Sequence, residues 1–194
     1  MASGAALMPL GELGRVAYFR PDTLPPGFTP ELMLTRHYAQ RDYPFIFTNG
    51  VQASYVEVDL DTGFVKLLKH WAVEDCGRVI NPMLVEGQAH GGIVQGIGQA
   101  LMEATAYDED GQLMTGSFMD YAVPHAADAP PFTFLSLPVP ARTNVLGVKG
   151  CGEAGCAGAL PAVMNALVDA LSAHGVMHID MPATPERIWT SMQG

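Results

Sequence analysis

A chain of 194 residues with 48% hydrophobic and only 15% charged side chains has material for one sizeable core or two small ones, and is too apolar to be disordered. Its formal net charge of −10, with ten basic residues and no cluster of them, excludes the Lys/Arg patches that nucleic acid and anionic membrane surfaces select. Three cysteines, Cys76, Cys151 and Cys156, contain no C-x-x-C pair and suggest neither a disulfide framework nor a zinc site, so small buried thiols in a reduced, cytoplasmic compartment are the simpler reading.

Residues 1–50 read as an irregular, extended N-terminal segment. No apolar run here or elsewhere reaches the ~18 residues of a spanning helix, and residues 1–10 lack a basic flank, so no membrane span is expected. Leu10 to Tyr18 fits a short helix or a strand, but Pro21, Pro25, Pro26 and Pro30 then fix φ and remove donors, which forces the backbone to run extended. Tyr38, Tyr43, Phe45 and Phe47 form an aromatic passage that suits packing on another surface.

The β signal is clearest over residues 51–75. Ser54 to Leu60 alternates, Asp61-Thr-Gly63 is a turn, and Phe64 to Val73 answers it, so the stretch predicts a hairpin with Glu57, Asp59, Lys66 and Lys69 on its solvated face. From Asn81 the period changes. Asn81 as cap and Pro82 at the first position open a buried helix of about twenty residues, with Val85, Ala89, Ile93, Ile97 and Leu101 at four-residue spacing. Gly87, Gly91, Gly92, Gly96 and Gly98 lie inside it at about 1 kcal/mol each against alanine, and the close approach of another helix or of a ligand is the natural offset. Gln88 and Gln95 share a face, where their amides need backbone or ligand partners. His90 has no second ligand at i+4 and reads as a core histidine before a metal ligand.

Tyr107 to Gln112 is a charged turn, Leu113 to Ala122 a strand or extended segment, and 124–140 a covering loop too rich in proline for regular structure. Gly147 to Gly158 holds five glycines in twelve positions, a loop suited to pressing against something bulky, with Glu153 near its middle as a working base or a solvated turn carboxylate. Gly150, Gly152 and Gly155 also fit G-x-G-x-x-G, with Asp180 near where a ribose-binding acid would sit. That nucleotide-binding reading fails on two counts. No strands follow Asp180, and Glu153 would direct a negative charge at a phosphate. A helix over Pro161 to Ser172 carries Val163, Leu167 and Leu171 on one stripe and closes at Gly175; Val176 to Asp180 reads as a short strand, and Thr184 caps a last helix starting at Pro185.

Four blocks in order then carry a resemblance that covers the chain from about Tyr38: Asp75-Cys-Gly-Arg-Val-Ile-Asn-Pro through Gly87-Gln-Ala-His-Gly-Gly to Gly98; Asp108 to Pro124; Gly147-Val-Lys-Gly-Cys-Gly-Glu-Ala-Gly; and Asp180-Met-Pro-Ala-Thr-Pro-Glu-Arg-Ile-Trp. The chain resembles the C-terminal part of the large, molybdenum-cofactor-binding subunit of the xanthine dehydrogenase and carbon monoxide dehydrogenase-like hydroxylases. The resemblance implies an α+β fold, a mixed sheet with packed helices, over residues 51–194. It implies hydroxylation of an electron-poor carbon, of the aldehyde or N-heterocycle class, with oxygen from water and Glu153 as general base at Mo–OH. It places Gln88, Gly87, Lys149 and Gly152 in the pocket of molybdopterin, with or without a cytosine nucleotide, Lys149 and Gly152 on either side of the base. Molybdenum is held through the pterin sulfurs, so no protein metal ligand is expected. The implied partners are an upstream molybdenum-binding chain, an iron–sulfur subunit with 2Fe-2S, a flavin subunit with FAD and a small-molecule substrate. Cys151 and Cys156 depart from the family pattern. A non-catalytic module that holds the cofactor or assists assembly is the alternative.

Overall fold

The computed structural model describes residues 8–39 and 45–193, so residues 1–7 and Tyr43 of the aromatic passage lie outside the described residues. The chain divides into two compact units, 1–39 and 40–194. In the first, Leu10 to Tyr18 resolves as helix, α1 (Leu10–Phe19), with Glu12 and Arg15 paired one turn apart. The prolines do not run extended as expected: Pro21 opens a 3-10 turn, Pro21–Thr23, Phe28 N donates to Pro25 O across a second turn in which Gly27 takes φ +85°, and the Leu32 amide then donates to the Tyr18 hydroxyl at 3.2 Å.

The second unit is built on the predicted hairpin. β1 (Asn49–Val58) pairs antiparallel with β2 (Val65–Asp75), with a bulge between Tyr55 and Val56. Between them, Asp59 Oδ1 accepts from the amides of Asp61 and Thr62, and Gly63 takes φ +74° at a point where a Cβ would collide with the Pro185 carbonyl. Period-2 alternation does the rest: Gln52, Ser54, His70, Ala72 and Glu74 face the helices, whereas Val51 and Tyr55 are exposed on the far side.

α2 (Pro82–Leu101) has the expected ends, since Asn81 Oδ1 accepts from the Leu84 amide and Pro82 opens the helix. Its stripe is buried as predicted, with Ala89, Ile93, Ile97 and Leu101 in the core. α3 (Ala154–Leu171) packs along it and buries Val163, Leu167 and Leu171 completely, each worth roughly 1.5–3 kcal/mol. The glycines make this approach possible. A Cβ on Gly92 would sit 2.9 Å from the Cys156 nitrogen, one on Gly96 2.8 Å from the Ala159 side chain, and one on Gly155 would collide with the Ala89 carbonyl oxygen. Ala183 N then donates to Ala100 O at 2.7 Å, and α4 (Pro185–Ser191), capped by Thr184, plugs the end with Ile188.

Further expectations are corrected. The segment 124–140 holds a strand, β3 (Phe132–Ser136), five proline-free residues between Pro131 and Pro138 that pair parallel to β2 and complete a three-stranded sheet in the order β1-β2-β3. An edge strand needs only one set of backbone bonds, so flanking prolines do not prevent it. Conversely, 113–122 forms turns and one isolated bridge, Tyr107 to Leu113, and 176–180 is not a strand; there Val176 and Ile179 serve as buried plugs. α3 begins at Ala154, seven residues before Pro161, which lies inside it, because the small residues of the glycine run pack on α2 as helix. With its 3-10 extension to His174 that helix is also long and apolar enough to cross a membrane by length and composition, and in this fold its apolar stripe is the core.

If the α2–α3 contact depends on bare backbone, Gly155→Val should destabilise the chain by at least ~1–3 kcal/mol in urea denaturation. Gly150→Ala, with nothing within 4 Å of the added carbon, should stay within ~0.5 kcal/mol. Equal effects at both positions would refute the account.

Candidate functional site

The approach to α3 is stitched onto the end of β2. The Asp75 side chain accepts from the Gly77 amide at 2.9 Å and the Val139 amide at 2.8 Å, and its other oxygen pairs with the Lys149 ammonium. Burial by itself would raise this carboxyl, but the bonds from Lys149, Val139 and Gly77 outweigh it and hold the pKa down to about 2. Backbone bonds run parallel to the pair: Arg78 N to Gly147 O at 2.8 Å and Lys149 N to Cys76 O at 3.1 Å. Gly77 and Gly147 both take positive φ there, and a Cβ on Gly77 would lie 2.5 Å from Gly147 O. Asn144 closes the preceding turn by bonding both polar groups of Val148.

From this anchor the backbone leads through Gly150, Cys151 and Gly152 to Glu153, the residue that precedes the first turn of α3. The Glu153 side chain makes no capping bond and is exposed, as are Gly87, Gln88 and Gly152. Because Gly155 lies against Ala89 and Ile93, the start of α3 and the Gly87–Gln88 turn of α2 stand at the same end of the helix pair. Lys149 differs from the rest. Its ammonium is turned to Asp75, with 10% of the side chain exposed. Glu153 is thus not desolvated by the residues of this chain.

The glycines of the two segments separate into classes. Gly92, Gly96, Gly155 and Gly158 are required by packing and Gly147 by its φ, whereas Gly87, Gly91, Gly150 and Gly152 have neither positive φ nor any atom within 4 Å of a would-be Cβ. Nothing in the described fold calls for these four to be glycine. Among the described residues no group of three or more His, Cys, Asp or Glu is arranged to hold a metal, and His90 packs against the rings of Phe132 and Phe134. Cys76, Cys151 and Cys156 are free thiols, and Asp180 pairs with His178 at the surface.

A polar cluster beneath this surface escaped the sequence reading. Gln52 Nε2 donates to Glu74 Oε1 at 2.7 Å and to the carbonyls of Ala154 and Gly155 at 3.1 Å each; its Oε1 faces His70 Nε2 at 3.0 Å, and His70 Nδ1 faces the Ser54 hydroxyl at 2.8 Å. Since the Gln52 oxygen can only accept, His70 carries its proton on Nε2 and takes the Ser54 proton at Nδ1. Burial holds His70 down to about 4 and, against the lowering effect of the Gln52 bond, pushes Glu74 up. The signal that could have found the cluster is polar residues at inward positions of both hairpin strands.

Comparison with known proteins completes the site. Residues 3–130 match the family described as a molybdopterin cofactor-binding domain. The nicotine 6-hydroxylase large subunit of Paenarthrobacter nicotinovorans is 43% identical over 95% of this chain and 22% of that protein. The carbon monoxide dehydrogenase large chain of Hydrogenophaga pseudoflava is 33% identical over 95% of this chain and 22% of that protein. The crystal structure of quinoline 2-oxidoreductase from Pseudomonas putida 86 superimposes with a TM-score of 0.82 at 43% identity, covering 96% of this chain and 23% of that one. The chain thus spans about a fifth of the length of the relatives it matches.

The buried histidine has a measurable consequence. Its pKa lies below the unfolded value of 6.5, so its contribution to stability is present above pH 6.5 and is lost as pH falls towards 4. The full amount is ~3 kcal/mol, offset in part by Glu74, whose raised pKa acts in the opposite sense. Urea midpoints between pH 4 and 7 should fall with pH in the unmodified chain and flatten in His70→Gln; an unchanged slope in the variant would assign the effect to another group.

Proposed function

The chain belongs to the molybdopterin cofactor-binding domain family, in the large subunits of molybdenum hydroxylases, and on that premise we propose that it forms one wall of a molybdenum-cofactor pocket with Glu153 as the general base. The observation that carries the reading is the set of unexplained glycines. Gly87, Gly91, Gly150 and Gly152 leave bare backbone on either side of exposed Gln88 and Glu153, which suits the close approach of a flat ligand rich in donors and acceptors. When bound, the cofactor supplies an oxygen donor and a two-electron sink.

In this reading Gln88 presents an amide that both donates to and accepts from the pterin edge, and Gly87 and Gly152 let the backbone come close. Lys149, with its ammonium held by Asp75, fixes the loop that flanks the base. Glu153 holds no internal partner that would compete for a proton, so its carboxylate is free to take one up when substrate is hydroxylated. The proposed substrate is a small molecule with an electron-poor carbon, of the aldehyde or N-heterocycle class. The remaining wall comes from further molybdenum-binding polypeptide, and the electrons leave through an iron–sulfur (2Fe-2S) component to a flavin (FAD) component, in a cytoplasmic complex. The cofactor is proposed as molybdopterin, with or without a cytosine nucleotide. Residues 51–194 are proposed as the part that faces it. A second reading, a module that holds the cofactor without turnover, is favoured by one observation, the exposure of Glu153 in this chain.

Two variants test the reading. In the assembled complex Glu153→Gln should leave molybdenum and pterin content unchanged and slow hydroxylation of an N-heterocycle by about 10²–10⁴-fold; full turnover would remove Glu153 from the chemistry. Gly87→Ala should do two opposite things. It should stabilise the chain by up to ~1 kcal/mol, because alanine is the better helix former and meets nothing, and it should lower the pterin retained by the complex. Stabilisation without any loss of pterin would mean that the glycine face is not where the cofactor lies.

A further inference from the structure

Glu74 is the buried titratable group that the proposed function does not use, at 2% exposure, and its partner Gln52 is tied to the start of the helix behind Glu153. A primary amide has two hydrogens. One goes to Glu74 Oε1, and the other is shared between the carbonyls of Ala154 and Gly155, the two residues after Glu153. Those carbonyls already have acceptor duty inside α3, so the amide is not there to satisfy them; it adds a fixed distance between β1 and the first turn of the helix. The oxygen end of the amide is held by His70 Nε2, and His70 by Ser54, so the Gln52 side chain cannot flip without reversing three bonds.

The space around this amide has been cleared by glycine on both sides. A Cβ on Gly158 would lie 2.5 Å from Gln52 Cδ, and one on Gly50 would collide with the Glu74 carboxylate. On the remaining side lies a cavity of about 250 Å³ lined by Thr48, Asn49 and Ala157 besides the clamp itself, so packing does not hold Gln52 there and its hydrogen bonds must.

We propose that Gln52, oriented by His70 and Glu74, is a positioning residue for the Glu153 base: it sets where the first turn of α3 stands and hence where the carboxylate meets the reacting proton. This rests on the function proposed above. Displacements of about 1 Å in such a group are enough to slow a reaction about 10²-fold without touching binding.

The test is a pair of variants in the assembled complex, read by amide hydrogen exchange, thermal stability and kinetics on an N-heterocyclic substrate. Gln52→Leu removes the amide. The double change Q52E/E74Q swaps the two groups, so that a buried amide–carboxylate bond and the acceptor for His70 are kept while the donor to Ala154 and Gly155 is lost. Expected for the swap is equal molybdenum content with faster exchange over residues 154–159 and a kcat lowered at least about tenfold at unchanged KM, since an acceptor at position 52 now faces the two carbonyls the amide had bonded. A single-residue effect on folding alone would instead be repaired by the swap. Recovery of kcat along with the melting temperature, or unchanged exchange over 154–159, overturns the inference. Glu153→Gln in the same assay separates the two ideas: if it leaves turnover intact the base reading fails and the clamp is judged by exchange alone, and if it abolishes turnover while Gln52→Leu does not, only the clamp fails.

Discussion

The contact on which the rest of this fold depends is backbone against backbone, where α2 and α3 meet through Gly92, Gly96 and Gly155. Glycine in a helix is unfavourable by about 1 kcal/mol relative to alanine, and this pair carries several. What offsets them is the approach itself, which brings Ile93 and Ile97 against Ala159, Val163 and Leu167 with no exposure at any of the five above 1%. The same closeness sets the Gly87–Gln88 turn of one helix at the same end of the pair as Glu153 at the start of the other.

The polar layer under the helices is organised by what the sheet presents to them. Beyond the apolar part of the hairpin, inward positions 52, 54, 70 and 74 carry Gln, Ser, His and Glu. His70 and Glu74 are buried and Gln52 and Ser54 half-buried, which is tolerable only if they satisfy one another, and here a neutral histidine, an amide and a carboxyl do so in one chain of bonds that ends on α3. A second polar anchor, Asp75 with Lys149, fixes the loop on the other side of Glu153. Glu153 therefore follows a loop pinned by a charge pair and precedes a helix pinned by an amide, while its own side chain makes no capping bond.

What was legible in the sequence follows from where the determining forces lie. α2 was readable end to end because its cap, its first-position proline and its apolar spacing are all local, and the hairpin was readable because its turn chemistry is local too. β3 was not, since a five-residue edge strand between prolines exists only by virtue of β2 beside it. Nor was the start of α3: Ala-Gly-Cys-Ala-Gly has little helical preference of its own, and it is the α2 surface that makes those residues helical. Within the candidate site, Glu153 and Gln88 stand out in the sequence itself, their roles and those of Gly87, Gly152 and Lys149 come from the motif resemblance, and Gln52 was missed because its partners are distant in sequence, Glu74 and Ala154 lying 22 and 102 residues away.

The glycine run shows why counting a residue type is weaker than asking what each copy meets. Five glycines in twelve positions look like one feature, yet the structure gives them three reasons: a turn at Gly147, close packing at Gly155 and Gly158, and no internal reason at Gly150 and Gly152. Only the last class points outward. Gly87 and Gly91 on α2 join it by the same criterion, although Gly92 and Gly96 in the same helix do not. Two segments separated by some sixty residues of sequence thus both forgo side chains without any internal gain, and each carries an exposed polar residue next to its bare glycines, Gln88 on one and Glu153 on the other, which is what the proposed ligand face rests on.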